Sequence, residues 1–195
     1  MAMPLDAYAD APDEALLALY ANGDRDAARL LMHRLTPKVY GQAFRMLGDR
    51  AEAEDVVQEA MLKLWKIAPD WRSGEAKVST WLYRIVANLC TDRLRKRKPS
   101  DSIDGVAAPA DEAQGVPEQM QDKTRSEALG EALNLLPERQ KQAVVLRHLD
   151  EMSNPEIAEV MGVGVGAVEN LIARGKRALS KILAKRKDEL GYSDD

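Results

Sequence analysis

The sequence predicts an all-α protein with two small helical domains, an N-terminal bundle and a C-terminal helix-turn-helix bundle, joined by a flexible acidic linker. Helix-favouring residues are plentiful, while aromatic residues make up only 5% of the 195-residue chain. Apolar residues recur every three or four positions over long stretches, which is the helical period. That period disappears over residues 99–123, where prolines and glycines stand among Ala, Asp and Gln. We therefore expect domains at 1–98 and 124–195 with a linker at 99–123.

The first predicted domain is a series of consecutive amphipathic helices. The segments Asn22–Asp24 and Gly48–Asp49 are typical of turns between helices. Thr36-Pro37 predicts a further helix start, with proline at the first helical position. The two longest periodic runs are Ala53–Ile67 and Thr80–Arg97. We expect these helices to pack their apolar stripes against one another.

The second predicted domain contains a short helix, a glycine turn and a basic second helix. Asn154 is a candidate cap with Pro155 at the first helical position, and Gly162 is suited to the left-handed residue that ends the helix. The next helix begins at about Gly166, and its outward face consists of Glu169, Asn170, Ala173, Arg174, Lys176 and Arg177. In this arrangement the second helix enters the major groove of DNA.

The side chains on that outward face match the hydrogen-bonding groups of base edges and phosphates. Asn170 is suited to adenine, Glu169 to the amine of cytosine, and Arg174 to guanine or a phosphate. The remaining basic residues are expected to hold the DNA backbone without reading sequence: Arg147, Lys176 and Arg177. A helical hairpin with a solvated basic face is the simpler alternative, but the combination of cap, turn and basic helix favours DNA binding.

The charge distribution agrees with a nucleic-acid partner although the formal net charge is −4. Basic residues cluster at 93–98 and at 174–187, and no acid occurs in the second cluster. The acids gather between them, in the predicted linker. Local patches of charge matter more for DNA binding than their sum.

Several other classes of protein are disfavoured. The dinucleotide-binding pattern formed by Gly162, Gly164 and Ala167 follows a helix instead of the strand it requires. His33, His148 and Cys90 lack the spacing of metal ligands, and no catalytic constellation is visible. We therefore expect neither an enzyme nor a cofactor, and no catalytic or metal site.

The expected location is the cytoplasm. A lone cysteine has no partner for an internal disulfide, which suits a reducing compartment. No signal peptide is apparent, and no stretch is apolar enough for insertion into a membrane.

Three segments carry a resemblance to a known family. They are DRAEAEDVVQEAMLKLW at 49–65, STWLYRIVANLCTDRLRKRK at 79–98 and LPERQKQAVVLRHLDEMSNPEIAEVMGV at 136–163. In these segments the chain resembles the extracytoplasmic-function sigma factors of bacterial RNA polymerase, which are part of the sigma-70 family. The resemblance implies a region 2-like first domain, which binds polymerase and recognises and melts the −10 promoter element. It implies a region 4-like second domain that reads the −35 element.

The resemblance also implies site residues in the first domain. The residues matching the helix that binds the largest subunits of core polymerase are Asp55, Gln58, Glu59, Leu62 and Trp65. The residues expected at the −10 element are Trp71, Arg72, Lys77, Trp81, Tyr83, Arg84, Asn88, Arg93 and Arg95. Aromatic platforms beside basic residues suit the capture of unstacked bases. A core role is an alternative for Trp65, Trp81 and Tyr83, because each lies near an apolar stripe.

The resemblance implies partners as well: core RNA polymerase, promoter DNA and an anti-sigma factor that holds the protein inactive. The chief alternative is a stand-alone helix-turn-helix regulator that binds duplex DNA without polymerase. A helical adaptor that binds only protein is a more distant alternative, which the basic face of the second domain disfavours.

Overall fold

The computed structural model describes residues 8, 10–72, 74, 77–97 and 117–185, with side chains from residue 126 onward in the last range. All regular secondary structure in these ranges is helical, which confirms the predicted fold class. The α-helices are α1 Asp13–Ala21, α2 Arg25–Leu47, α3 Arg50–Ile67, α4 Val78–Lys96, α5 Pro117–Asn134, α6 Glu138–His148, α7 Asn154–Met161 and α8 Val165–Ala184. A 3₁₀ turn, Ala68–Asp70, follows α3.

The chain divides into two compact units, with the main boundary between Lys96 and Arg97, and the short segment Glu159–Gly162 is grouped with the first unit. Residues 99–116 of the predicted linker lie outside the described residues. The last part of that segment is helical, because α5 begins at Pro117, seven residues before the predicted start at Thr124. Proline is compatible with the first helical position, where the missing N–H has no partner within the helix.

Both predicted turns in the first unit are confirmed, and the last residue of each turn is an acidic cap of the helix that follows. Gly48 ends α2 with a φ of 70°, and Asp49 caps α3 by accepting a hydrogen bond of 2.9 Å from the Glu52 N–H. Asp24 caps α2 by accepting from two backbone N–H groups and from the Tyr8 hydroxyl. The Tyr8 hydrogen bond is the main reason that the pKa of Asp24 lies below its usual value.

The predicted helix start at Thr36-Pro37 is wrong, because α2 continues through Pro37. Proline in a helix interior removes one backbone hydrogen bond and crowds the preceding turn. Tertiary packing outweighs this cost, since Leu31, Leu35 and Val39 are at most 1% exposed on either side of the proline. The helix therefore presents one uninterrupted buried stripe to the rest of the unit.

The second unit starts its short helix α7 with a reciprocal cap. The Glu156 carboxylate accepts from the Ser153 N–H at 3.0 Å and from the Ser153 hydroxyl at 2.7 Å, and the Glu156 N–H faces the same hydroxyl at 3.5 Å. This is a capping box, so the cap is Ser153 and not Asn154 as predicted from the sequence. Gly162 follows α7 with a φ of 63°, as predicted.

Close contact between α6 and α8 is possible because residue 175 is glycine. Gly175 is buried in α8, and a Cβ atom built there would lie 2.5 Å from Val144 Cγ2 and 3.3 Å from the Gln140 carbonyl oxygen of α6. The helix α8, which carries the predicted DNA-reading face, thus packs directly against the backbone of α6.

Among the helices that the structure describes, none combines the length and the apolar character that spanning a bilayer requires.

Gly175→Ala is expected to destabilise the second unit by about 1–3 kcal/mol, because the added methyl overpacks the α6–α8 contact. Gly130→Ala is the matched control: Gly130 is exposed within α5 and has open space around it. The control is expected to gain about 0.5–1 kcal/mol from helix propensity. Urea unfolding followed by circular dichroism measures both, and equal stabilities for the two variants would contradict the prediction.

Candidate polymerase and nucleic-acid interfaces

The residues predicted to bind polymerase lie along one face of α3. Asp55, Gln58 and Leu62 follow each other at spacings of three and four, and all three are exposed, Leu62 at 63%. Glu59 is half-buried and pairs with Lys63 at 3.0 Å. The face therefore combines acidic and polar side chains with one exposed apolar side chain, Leu62.

A groove between α2 and α3 borders this face. Its volume is about 350 Å³, and it is lined by Met32, Thr36, Tyr40, Glu54, Val57, Gln58, Met61, Leu62 and Trp65. Trp65 is half-buried, and its ring packs on Tyr20 with centroids 4.7 Å apart. Trp65 therefore takes part in the packing of the unit and also lines the groove.

The residues of α2 that line the groove were not among the site residues predicted from the sequence. Met32, Thr36 and Tyr40 follow each other at spacings of four on one stripe of α2. The predicted break at Thr36-Pro37 concealed that stripe, because it divided these residues between two helices. The hydrophobic period alone indicates the stripe once the helix is taken as continuous.

The residues predicted to contact the −10 element include a pair of tryptophans, Trp71 before α4 and Trp81 in its first turn. The rings of Trp71 and Trp81 meet edge to face, with centroids 5.9 Å apart and an interplanar angle of 90°. Both residues are half-buried, while Arg72 and Lys77 are exposed. The structure therefore brings together an aromatic pair and two exposed cations, a combination that binds single-stranded nucleic acid.

Further along α4, the predicted −10 residues Arg84, Asn88 and Arg95 are exposed at helical spacing. Arg93 is 28% exposed and lies 3.6 Å from Asp55 of α3, so the predicted polymerase-binding and −10 sets adjoin each other. An ion pair between solvent-accessible groups at this distance contributes little to stability.

Tyr83, also predicted at the −10 element, is only 7% exposed and belongs to the core, which is the alternative role that its place near an apolar stripe left open. The buried side of α4 is wide enough to include two adjacent positions, Leu82 and Tyr83. The Tyr83 carbonyl oxygen also accepts a hydrogen bond of 3.3 Å from Nε2 of the fully buried Gln42, which ties α4 to α2.

The outward face predicted for the second helix of the helix-turn-helix is fully exposed on α8. It consists of Glu169, Asn170, Ala173, Arg174, Lys176 and Arg177. The opposite side is buried through Val168, Gly175 and Leu179. One face of α8 is therefore held in the core of the unit while the other is open to a ligand.

Several of the predicted DNA-binding side chains bond to the protein itself. Asn170 Nδ2 donates to the Gly166 carbonyl oxygen at 2.9 Å, and Arg177 Nε donates to that of Ala173 at 3.2 Å. Arg147 Nη1 donates to the Met152 carbonyl oxygen at 2.9 Å and so supports the segment between α6 and α7. Asn170 and Arg177 are exposed, so a rotamer change frees them for bases or phosphates.

His148, the last residue of α6, lies beside the positive charges of Lys176 and Arg147. Burial and the positive charges of Lys176 and Arg147 hold its pKa below the usual 6.5. The proximity of His148 to Lys176 could not be predicted, because the two residues are distant along the chain.

Lys176→Gln is expected to raise the pKa of His148, because it removes one of the positive charges that oppose protonation. NMR titration of the imidazole measures the shift, and the variant His148→Gln assigns the signal, since the chain contains two histidines. An unchanged titration in Lys176→Gln would contradict the proximity of the two groups.

The same pKa predicts how the stability of the second unit changes with pH. Because the folded value lies below the unfolded value of 6.5, the unfolded state binds more protons in acid. The free energy of unfolding has its full value above pH 6.5. It declines as the pH falls from 6.5 through the pKa of His148 in the folded state. His148→Gln is expected to flatten this decline in urea unfolding.

Comparison with known proteins assigns both units to one family. Residues 31–99 match the family model for Sigma-70 region 2, and residues 126–179 match that for Sigma-70, region 4. The chain is 36% identical over 171 residues to the ECF RNA polymerase sigma factor SigW of Bacillus subtilis (strain 168), covering 83% of this chain and 91% of that relative. It is 32% identical over 177 residues to the ECF RNA polymerase sigma-E factor of Escherichia coli (strain K12), covering 86% and 92%.

Solved structures show the same fold. CnrH, whose structure was solved in complex with the cytosolic domain of CnrY, superposes with a TM-score of 0.66 at 26% identity, covering 89% of this chain and 97% of that one. The sigma factor RpoE, solved with the anti-sigma factor NepR from Bartonella quintana, gives 0.64 at 22% identity, covering 80% and 96%. On the evidence of its relatives and of both matched regions, the chain belongs to the extracytoplasmic-function (ECF) family of RNA polymerase sigma factors.

Proposed function

We propose that this protein is an alternative sigma factor that binds core RNA polymerase through α3 and the α2–α3 groove and directs it to a set of promoters. The observation that carries the proposal is Leu62, exposed at 63% at the edge of an apolar groove. The protein itself contributes binding and positioning in the cytoplasm, while the chemistry of RNA synthesis belongs to polymerase.

The two units have separate roles in this proposal. Residues 1–98 bind polymerase and engage the −10 element, residues 99–123 connect the units, and residues 124–195 read the −35 element. The Trp71–Trp81 pair and the adjacent cations support capture of an unstacked base at the −10 element. The exposed polar face of α8 supports reading of the −35 element in the major groove.

An anti-sigma factor is the proposed regulatory partner. CnrH, at 26% identity, was solved in complex with the cytosolic domain of CnrY, which supports a protein partner for this chain. A protein that covers the α2–α3 groove would compete with polymerase for Leu62 and its neighbours. Regulation then requires only that the partner dissociate.

Run-off transcription tests the proposed function. Core polymerase is incubated with genomic fragments, with and without this protein, and the 5′ ends of the transcripts are mapped. Discrete start sites that depend on the protein are expected, and their upstream sequences define both promoter elements. Stable binding to duplex DNA without polymerase, together with no new start sites, would favour the stand-alone regulator.

Leu62→Ala is expected to weaken binding to core polymerase roughly tenfold, because it removes apolar contact at the centre of the proposed interface. Leu62→Met, which preserves volume and apolar character, is expected to retain binding. Surface plasmon resonance on immobilised core polymerase measures both affinities. Because Leu62 is exposed, both variants are expected to unfold at the same urea concentration as the wild type, and equal binding by the two would count against the proposed interface.

A further inference from the structure

The first turn of α4 contains no acidic residue, and the residue that precedes this turn, Lys77, is a cation. The N-terminus of a helix carries partial positive charge and unpaired backbone N–H groups. A lysine at this position is therefore unfavourable unless an acceptor comes from elsewhere.

Glu14 of α1 provides that acceptor. Its Oε1 atom accepts a hydrogen bond of 2.9 Å from the backbone N–H of Val78, 64 residues away along the chain. The bond places a carboxylate at the positive end of α4, where it satisfies a free donor and offsets the charge of the helix end. Glu14 thus acts as a helix cap contributed by another helix.

The position of Glu14 is itself fixed by contacts with the neighbouring helix. Arg34 of α2 donates to the Ala11 carbonyl oxygen at 2.6 Å and pairs with Asp13 at 3.3 Å. Leu16 and Leu17 of α1 are fully buried. The carboxylate therefore extends from an anchored helix and not from a free end of the chain.

The turn that Glu14 caps also holds the tryptophan pair. The Trp81 N–H closes this turn by donating to the Lys77 carbonyl oxygen at 3.0 Å, and the Trp81 ring meets Trp71 edge to face. If the turn frays, Trp81 loses its backbone position and the contact with Trp71 is lost. The geometry of the pair thus depends on the bond at Val78.

We propose that Glu14 is a positioning residue for promoter opening: it holds the first turn of α4 so that Trp71 and Trp81 are in place to receive an unstacked base. This inference rests on the proposed function and adds α1 to the machinery of strand separation. Glu14 acts through α4 and need not touch DNA.

The experiment compares transcription from two templates that share one promoter, a fully paired duplex and a template whose −10 region is mismatched and already open. The variants are Glu14→Ala, Glu14→Gln and Asp49→Ala, each assayed as full-length protein with core polymerase. Asp49→Ala is the matched control, because it also removes a carboxylate cap with one 2.9 Å bond, but at α3. The measured quantity is the ratio of duplex to open-template transcription.

Glu14→Ala is expected to lower this ratio about fivefold, the factor that corresponds to the loss of one cap. Glu14→Gln, whose amide oxygen still accepts the bond, is expected to recover most of the ratio, and Asp49→Ala is expected to leave it at the wild-type value. Equal losses on both templates in Glu14→Ala, or the same change of ratio in Asp49→Ala, would overturn the proposal. Absence of promoter-dependent transcripts with the wild type would instead refute the proposed function, and the inference with it.

Discussion

Burial of the apolar side of α2 is the constraint on which the first unit depends. This helix of 23 residues packs against α1, α3 and α4, and its side chains Leu31, Leu35, Val39 and Met46 are at most 1% exposed. The packing is strong enough to keep Pro37 inside a continuous helix. Because the helix does not break, Met32 and Tyr40 come to line the same groove as Leu62 of α3. The proposed polymerase surface is therefore a consequence of how α2 fills the core.

The second unit depends on one close contact between α6 and α8. Gly175 allows α8 to lie against Val144 and the backbone of α6, and this contact fixes which side of α8 faces outward. The cap at Ser153 then determines where α7 begins, and the left-handed Gly162 determines where it ends. Local turn chemistry and one interhelical contact together give the exposed polar face its orientation.

Features fixed by local chemistry could be predicted from the sequence. Glycines that end helices and the two sides of α8 follow from the spacing of residues near one another in the chain. The cap at Ser153, which the prediction placed at Asn154, is also local, because Ser153 and Glu156 form a capping box. Other features depend on residues that are distant along the chain. Tyr83 is buried because α4 packs across a wide face, and Pro37 is tolerated because of neighbouring helices. The bond between Glu14 and Val78 joins positions 64 residues apart, for which a single sequence contains no signal.

The groove between α2 and α3 has a consequence for how the protein can evolve. Its two walls belong to different helices, so its width follows from the spacing of their axes, and that spacing depends on the side chains buried between them. Alanines are buried on both helices, including Ala43, Ala53 and Ala60. A larger residue at one of these positions would push the helices apart and alter the groove without changing any residue that lines it. Selection for partner choice in this protein therefore acts on its interior as well as on its surface.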